Sequence, residues 1–392
     1  MVLPWLRRSV LRRSIIAAVA AAASVLLATG CASAGTPSSS SSSHSTSAGA
    51  TTTGQFTGCM VTDIGGINDK SFNASAWEGM QEAHVANSNI TVKNASSSSA
   101  ADYAPNISAF LGQKCAIIVT VGYLMATATG NAASANSGTK FAIVDCALGS
   151  ASCAINPNGK PSTPPANVDS LVYNTAQDAF QGGYLAAGMT KTGKVATYGG
   201  LKIPTVTIYM DGFWDGVQYY NSQHHTHVTV LGWNEQTQSG EFSNSFTDLT
   251  KGQTFAQQFI SEGADIIFPV AGGVGLGSAK AVQNADTAAG SQKVNMMWVD
   301  TDGCVSAPQY CQYFITTVEK GIQASVKGAV IAAANGTFKG GTYVGDLANG
   351  GVQLSPYHTF ATKIPAALQA EINTIKAQII SGKIVPATKS PV

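Results

Sequence analysis

Short apolar runs alternate along the chain with segments that have the periodicity of amphipathic helices. Runs of continuous Ile and Val character are typical of strands buried on both faces, and their alternation with helices indicates parallel α/β sheets. Ten strands in two groups of five predict two doubly wound lobes. The predicted strands are Gly58–Thr62, Ile90–Ala95, Ala116–Val121, Lys140–Asp145, Ser170–Tyr173, Lys194–Tyr198, Val228–Leu231, Asp265–Val270, Met296–Asp300 and Tyr313–Thr317. The predicted helices include Phe72–Ala86, Asp178–Thr190, Gly252–Glu262, Ser278–Ala288 and Lys320–Ala334.

Polar and aromatic residues follow the first predicted strand, in the stretch "TDIGGINDKSFNASAWEGM" at residues 62–80. Its paired glycines let the chain turn sharply, and Asn68 and Asp69 can present hydrogen-bonding groups near the start of a helix. Phe72 and Trp77 lie on that helix. An aromatic face beside amide and carboxylate groups suits a flat heteroaromatic ring with polar edges. Packing in the core is the alternative for both aromatic residues.

Similar segments follow other strands. Tyr123 lies in "GYLMATATG" after the third strand, Asp145 ends the fourth, "GGLKIPTVTIYMDGF" follows the sixth, "AGGVGLGS" follows the eighth, and Asp300 ends the ninth. Ligands of open α/β sheets bind beyond the carboxyl ends of the strands. Two lobes with facing loops of this kind would enclose a ligand cleft, as in periplasmic-type binding proteins.

The N-terminus is typical of an exported protein. Four arginines precede an apolar stretch of small and aliphatic residues, Ile15 to Ala28, which predicts a signal peptide over residues 1–30. The following "LLATGC" resembles a lipobox that ends at Cys31, the residue that would be acylated; ordinary signal cleavage nearby is the alternative. Residues 31–54 are rich in Ser and Thr and predict a flexible tether. We therefore expect an extracytoplasmic protein anchored to the cell membrane by lipid.

Six cysteines follow Cys31, and an even number in an exported chain suggests disulfides. Zinc is the competing interpretation, but zinc sites prefer more closely spaced pairs than those at Cys146/Cys153 and Cys304/Cys311.

Composition and motifs limit the other functional classes. The chain has 392 residues, of which 11% are charged, and a net charge of +1. It lacks the stripe of Lys and Arg residues that a nucleic-acid-binding protein would show. The segment "GGVGLGS", from Gly272 to Ser278, loosely resembles a dinucleotide-binding fingerprint, so an exported dehydrogenase is an alternative. The histidines of "HHTH", His224 to His227, are interpreted as a solvated loop rather than a metal site. An exported hydrolase is a further alternative, although the sequence has neither a Gly-x-Ser-x-Gly elbow nor a P-loop.

Four segments together carry a family resemblance. "VTDIGGINDKSFNASAWEGM", "PVAGGVGLG", "WVDTDG" and "TTVEKGIQASV" resemble the basic membrane protein (BMP) family of lipoproteins, which includes purine-nucleoside receptors of ABC importers. The resemblance extends from about Cys59 to Pro356. It implies a type I periplasmic-binding-protein fold, no catalysis, no cofactor and no metal. It also implies a nucleoside held between two lobes.

The resemblance further implies roles for individual residues. The base would stack on Trp77 and on a second aromatic residue from the other lobe. The first candidate for this second residue is Phe268, followed by Tyr209 and Phe213. The groups expected at the base edges are Asn68, Asp69 and Asp145; those expected at the ribose are Gly273, Asp300 and Lys320. Phe72 and Tyr123 complete the expected site.

Two of these residues are predicted in more detail. The carboxylate of Asp300 is expected to point out of its sheet and to accept hydrogen bonds from vicinal hydroxyls. Lys320 is expected to begin a helix where the chain recrosses the hinge, and to donate to a ribose oxygen. The alternative for Asp300 is that it only caps a turn with Asp302.

A doubly wound lobe also predicts a disulfide scheme. In the strand order 2-1-3-4-5 the first and third strands are neighbours, about 4.8 Å apart, which allows a Cys59–Cys115 bridge. Cys146–Cys153 and Cys304–Cys311 would then close local loops.

The expected domains are lobe 1, at residues 55–175 and 319–341, and lobe 2, at residues 176–318 and 342–392. The predicted function is capture of a nucleoside, with a purine expected, and its delivery to an ABC transporter permease. A binding protein for a sugar or another small polar solute is one alternative. A surface receptor that is not coupled to transport is the other.

Overall fold

The computed structural model describes residues 55–156 and 160–390. The expected signal peptide, the lipidated Cys31 and the tether therefore lie outside the described residues. In the described part of the chain, no helix combines the length and apolarity that crossing a membrane requires.

Two six-stranded sheets, each covered by helices, form the two lobes. The strands are β1 Phe56–Thr62, β2 Ile90–Ala95, β3 Ile117–Val121, β4 Lys140–Val144, β5 Val168–Tyr173, β6 Lys194–Gly199, β7 Thr229–Leu231, β8 Trp233–Asn234, β9 Ser239–Gly240, β10 Ile266–Val270, β11 Asn295–Asp300, β12 Phe314–Lys320, β13 Gly341–Gly345 and β14 Val352–Leu354. The helices are α1 Phe72–Ala86, α2 Tyr103–Gly112, α3 Ala126–Ala135, α4 Ala176–Met189, α5 Pro204–His224, α6 Leu249–Ser261, α7 Gly275–Ala289, α8 Gly303–Ser306, α9 Ile322–Ala334 and α10 Ala366–Ile380.

The strand orders confirm the doubly wound topology. Lobe 1 has the order β13-β5-β4-β3-β1-β2, and lobe 2 has the order β14-β12-β11-β10-β6-β7. Every pairing in the two sheets is parallel except that of β12 with β14. The central strands β3 and β10 are buried along their whole length, as their continuous apolar sequences predict. This is the type I periplasmic-binding-protein architecture.

The described chain crosses between the lobes three times, after β5, after β12 and after β13. The expected second segment of lobe 1, residues 319–341, is displaced in the structure. Lys320 still belongs to the sheet of lobe 2, and Gly341–Gly345 pairs with β5 of lobe 1. The prediction stopped too early because the glycine-flanked edge strand "GTYVG" has only a weak strand signal.

Helix α5 corrects the interpretation of the segment that follows β6. The sequence predicts a cleft loop there, but the helix begins at Pro204, where proline favours the first helical position. Two of its glycines let α5 approach α4 closely: a β-carbon at Gly212 would lie 2.5 Å from the Ala176 carbonyl oxygen, and one at Gly216 would lie 2.0 Å from that of Phe180. Glycine in this helix therefore marks close helix packing rather than a turn.

The three expected disulfides are present. Cys59 on β1 is bonded to Cys115 just before β3, with a Cα–Cα distance of 5.9 Å. The local loops are closed by Cys146–Cys153 and Cys304–Cys311. The zinc interpretation of these cysteines is therefore wrong.

Candidate functional site

A cavity lies between the lobes, where the carboxyl ends of both sheets meet. The space between its lining atoms, including the part open to solvent, is about 550 Å³. Its lining residues are Asp63, Gly65, Asp69, Phe72, Asn73, Gly122, Tyr123, Asp145, Ile203, Thr205, Val206, Tyr209, Phe246, Val270, Ala271, Gly272, Val299, Asp300 and Lys320.

The structure brings most of the predicted site residues to this cavity. Those that line it are Asp69, Phe72, Tyr123, Asp145, Tyr209, Asp300 and Lys320. Those that do not line it are Asn68, Trp77, Phe213, Phe268 and Gly273.

Trp77 is on the same helix as Phe72 but does not reach the cavity. Five residues along an α-helix rotate the side chain by roughly 140° and advance it by about 7.5 Å. Phe72 begins α1 at the cavity wall, whereas Trp77 is partly buried against the hydrophobic core. Phe72 is therefore the aromatic residue that this helix contributes.

The expected second aromatic residue, Phe268, lies inside the core of lobe 2. It is two residues from the end of β10, its ring centroid is 5.1 Å from that of Phe213, and it contacts the edge of Tyr209. Tyr209 lies at the surface of this cluster and lines the cavity. The aromatic residue that sequence reasoning missed is Phe246, which lies in the loop between β9 and α6 and lines the cavity from lobe 2.

The remaining two predicted residues lie near the cavity without lining it. Asn68 is exposed on the loop before α1. Gly273 is buried where the lobes approach each other: a β-carbon there would be 3.2 Å from the Phe246 carbonyl oxygen and 3.7 Å from the Asp69 Cα. The adjacent Gly272 lines the cavity instead.

Asp69 organises the start of α1. Its carboxylate accepts hydrogen bonds from the backbone N–H groups of Ser71, Asn73 and Ala74, at 2.8–3.0 Å, and from the Asn73 amide. An acceptor at this position satisfies N–H groups that the helix leaves unpaired. Asp69 therefore shapes the site more than it offers free acceptors to a ligand.

Asn73 and Asp63, which were not predicted, form the polar wall beside Phe72. The Asn73 amide nitrogen donates to Asp63 Oδ1 at 3.0 Å, which orients the side chain. Asn73 Oδ1 is buried and lacks a hydrogen-bond partner. A buried unpaired acceptor in a cavity wall suits a ligand N–H. The sequence feature that could have revealed Asn73 is its place in "SFN" at the start of α1, directly after the aromatic Phe72.

Burial raises the pKa of two carboxyl groups in this wall. The pKa of Asp63 rises to about 6, opposed by hydrogen bonds from Asn73 and Gly65. The pKa of Asp69 rises to about 7, opposed by the N–H groups of α1. The charged forms lose hydration when they are buried, so these groups protonate more readily than an exposed aspartate.

Asp145 and Asp300 occupy equivalent positions in the two lobes. Asp145 follows β4 and Asp300 ends β11, and both strands are third from the edge in their sheets. Their φ angles, 64° and 67°, lie in the left-handed region, which aspartate tolerates better than most residues. Strained conformations of this kind concentrate at functional sites. Burial raises the pKa of Asp145, and the nearby Lys320 opposes this shift.

Lys320 links these two aspartates. It is the last residue of β12, not the first residue of a helix as predicted, because the strand continues to the crossing at Gly321. Its buried ammonium group forms an ion pair with Asp145 and lies 4.0 Å from Asp300 Oδ1. It is also 4.9 Å from the centre of the Tyr209 ring.

The Asp300 carboxylate points into the cleft, as predicted. It accepts hydrogen bonds from the Tyr209 hydroxyl at 3.0 Å and from the Ser71 hydroxyl of the opposite lobe at 2.5 Å. A carboxylate has about four acceptor sites, so capacity remains for a ligand. The turn-capping role belongs to Asp302, which accepts from the Cys304 N–H at 2.9 Å.

The described residues contain one grouping of potential metal ligands, at Asp302, Cys304 and His358. Cys304 is bonded to Cys311, so its sulfur is not available as a thiolate ligand. The "HHTH" histidines are not part of this grouping.

Comparisons with known proteins agree with this architecture. A family model described as ABC transporter substrate-binding protein, PnrA-like (Bmp), matches residues 56–389. The ABC transporter nucleoside-binding protein BmpA of Lactococcus lactis is 28% identical over 343 residues, covering 84% of this chain and 88% of that protein. The CD4+ T-cell-stimulating antigen of Listeria monocytogenes is 29% identical over 340 residues, covering 84% and 87%.

A solved structure shares the fold. The ABC transporter solute-binding protein of Aeropyrum pernix K1 superposes with a TM-score of 0.74 at 23% identity, covering 86% of this chain and 94% of that one. The family consists of substrate-binding proteins and not of enzymes, so the dehydrogenase and hydrolase alternatives are wrong. The chain belongs to the PnrA-like, or Bmp, family of ABC transporter substrate-binding proteins.

Proposed function

We propose that the protein captures a nucleoside, with a purine base preferred, and delivers it to an ABC transporter permease. The observation that carries this proposal is a cavity with one phenylalanine from each lobe, Phe72 and Phe246, and a buried aspartate–lysine cluster beside them. The Lactococcus lactis relative is named a nucleoside-binding protein, which supports the same ligand class.

The base would lie between Phe72 and Phe246. Aromatic side chains stack on every base, and this contact is worth ~1–3 kcal/mol per base. Beside Phe72, the unpaired Asn73 Oδ1 can accept from a ring or exocyclic N–H, and Asp63 offers a further carboxylate acceptor. This wall favours a base with hydrogen-bond donors on its edge.

The ribose would lie against Asp300 and Lys320. The carboxylate can accept from vicinal hydroxyls, and the ammonium group can donate to a sugar oxygen. The cavity is lined by four aspartates and one lysine, and the chain has no arginine after Arg13. An acidic lining without a guanidinium favours a neutral nucleoside over its phosphorylated forms.

The membrane part of the proposal rests on the sequence. A signal peptide over residues 1–30, acylation of Cys31 and a tether over residues 31–54 would hold the protein on the extracytoplasmic face of the cell membrane. That location would place it beside the permease that receives its ligand.

The first prediction concerns the sugar. By titration calorimetry of the purified protein, a purine ribonucleoside should bind at least 10-fold more tightly than its free base. Asp300→Asn should weaken nucleoside binding by about 10- to 100-fold, because hydrogen bonds to charged groups are worth ~1.5–3 kcal/mol. The affinity for the free base should hardly differ between this variant and wild type.

Asp302→Asn is the matched control, because Asp302 caps α8 outside the cavity. If the free base and the nucleoside bound with equal affinity, the placement of the ribose against Asp300 and Lys320 would be wrong. Binding of a free sugar as tight as that of the nucleoside would favour the sugar-binding alternative.

The second prediction concerns the aromatic residues. Phe72→Ala and Phe246→Ala should each weaken nucleoside binding by roughly 5- to 150-fold, since each removes a stacking contact. Trp77→Ala is the control on the same helix and should leave affinity within about threefold of wild type. If Trp77→Ala were the damaging change, and the phenylalanine variants were not, the base would have to lie elsewhere.

A further inference from the structure

A second cavity lies directly against the first. The space between its lining atoms, including the part open to solvent, is about 380 Å³. Four residues, Tyr123, Asp145, Thr205 and Lys320, line both cavities. The other lining residues of the second cavity are Cys146, Ala147, Ser152, Cys153, Val172, Tyr173, Thr175, Pro204 and Ile208.

A disulfide-closed loop forms one wall of this second cavity. Cys146 and Cys153 are both buried, and their bond closes the loop that follows β4. The Gly149 N–H donates to the Cys153 carbonyl at 2.9 Å, and the Leu148 N–H donates to the Ser170 hydroxyl at 3.1 Å. The loop is therefore fixed both internally and to strand β5, so the cavity has a defined shape.

Thr175 gives the cavity an unused hydrogen-bonding group. The residue is 0% exposed, and its hydroxyl lacks a hydrogen-bond partner. It also does not cap α4, although it is at the N-cap position. Buried hydroxyls are normally paired, so an unpaired one in a cavity wall leaves a hydrogen bond to be made by a group in the cavity, either a water or a ligand atom.

The charge of the second cavity is balanced. Its charged lining residues are Asp145 and Lys320, which are already paired with each other. Much of the remaining lining is apolar, including Val172, Pro204 and Ile208. An anionic group would find no free cation in this lining, so the chemistry favours an uncharged group that is largely apolar and has one polar end.

We infer that this second cavity is a subsite for an uncharged substituent on the ligand's sugar, apolar along its length and ending in a hydroxyl that pairs with Thr175. The inference rests on the proposed function, in which Lys320 and Asp300 hold the vicinal 2′- and 3′-hydroxyls. Because the 2′- and 3′-hydroxyls are engaged in that arrangement, the 5′-hydroxyl is the ribose hydroxyl left to carry a substituent, and Lys320, which lines both cavities, would lie where the substituent enters the second one. The ligand class is thus ribonucleosides with an uncharged 5′ extension.

Two ligands of matched shape test the subsite by calorimetry on the purified full chain. They are the 5′-O-(2-hydroxyethyl) and 5′-O-propyl ethers of the ribonucleoside that binds best, which differ only in a terminal hydroxyl. Wild type should bind the hydroxyethyl ether at least as tightly as the parent nucleoside. It should prefer this ether over the propyl ether by about 3- to 10-fold, the value of one neutral hydrogen bond.

Three variants separate the subsite from the main cavity. Thr175→Val should abolish the preference for the hydroxyethyl ether. Thr175→Ser, which keeps the hydroxyl, should retain this preference. Ala147→Phe should fill the second cavity and weaken both ethers at least 10-fold, with parent affinity unchanged and the melting temperature as the folding control.

The outcomes distinguish this inference from the proposed function. If wild type binds the parent but rejects both ethers, or if Thr175→Val leaves the preference intact, the subsite is refuted and the nucleoside function stands. If no nucleoside binds at all, the proposed function and the inference fall together.

Discussion

Lys320→Met should weaken ligand binding by roughly 30- to 5,000-fold, the largest effect we expect from one substitution in the cavity. The loss combines the hydrogen bond from the ammonium group to the ligand, worth ~1.5–3 kcal/mol, with the cost of leaving carboxylates unpaired under the bound ligand, and such losses reach ~2–5 kcal/mol for charge pairs at binding interfaces. Lys320 pairs with Asp145 and lies 4.0 Å from Asp300, so the variant leaves two buried carboxylates without their cation. Methionine retains most of the apolar stem, which limits the loss of packing.

Lys327→Met is the matched control. Lys327 pairs with Glu82 at 3.0 Å on the partly exposed face between α1 and α9, away from the cavity. Exposed ion pairs contribute ~0–1 kcal/mol, so its affinity and melting temperature should hardly change. Calorimetric titration of both variants gives the comparison. Near-wild-type affinity in Lys320→Met would show that the lysine only balances charge and does not contact ligand.

The double substitution Lys320→Met/Asp145→Asn separates binding from stability. Breaking a buried pair destabilises a protein by ~3–5 kcal/mol, mainly through the partner left charged. Neutralising Asp145 as well should recover part of the stability lost in Lys320→Met but not the affinity. Recovery of affinity would mean that the unpaired Asp145, and not the missing ammonium, impairs binding.

Removing the Cys59–Cys115 disulfide should lower the free energy of unfolding by about 4 kcal/mol. The bridge closes a loop with a sequence separation of 56 residues, and the loss of chain entropy in the unfolded state grows with loop length. Both cysteines are buried in the core of lobe 1, so the paired substitution Cys59→Ala/Cys115→Ala also removes packed sulfur atoms. Urea denaturation of oxidised protein measures the change.

Cys304→Ala/Cys311→Ala provides the comparison, since its loop has a sequence separation of only 7. The same entropy relation gives about 2 kcal/mol for it. A larger loss from the short loop than from the long one would contradict the entropic account and point to local packing around α8.

The fold was predictable because its signals are local and mutually consistent. Buried parallel strands have continuous apolar sequences, and those of β1, β3, β4 and β10 were placed within about two residues of their ends. The strand order then follows from the doubly wound topology, and it placed Cys59 beside Cys115. The short strands β8, β9 and β14 were missed because two or three residues are too few for periodicity to emerge.

The site was predictable only where a residue stands at the end of a strand. Asp145 and Asp300 occupy such positions, and the sheet edge itself directs them into the cleft. Trp77 was misplaced because the direction of a helical side chain depends on rotation about an axis that the sequence does not fix in space. Phe246 was missed because it lies in an irregular loop. Its position there is predicted neither by the periodicity of a helix or strand nor by the end of a strand.

The three crossings between the lobes have a consequence for synthesis. Strand β13 at Gly341–Gly345 completes the edge of lobe 1, about 170 residues after its partner β5. The chain is synthesised from its N-terminus. Lobe 1 therefore cannot be completed until nearly all of lobe 2 has been synthesised. The two lobes therefore mature together, once nearly the whole chain has been made. Until then, the outer edge of β5 remains open to pairing with other extended chains.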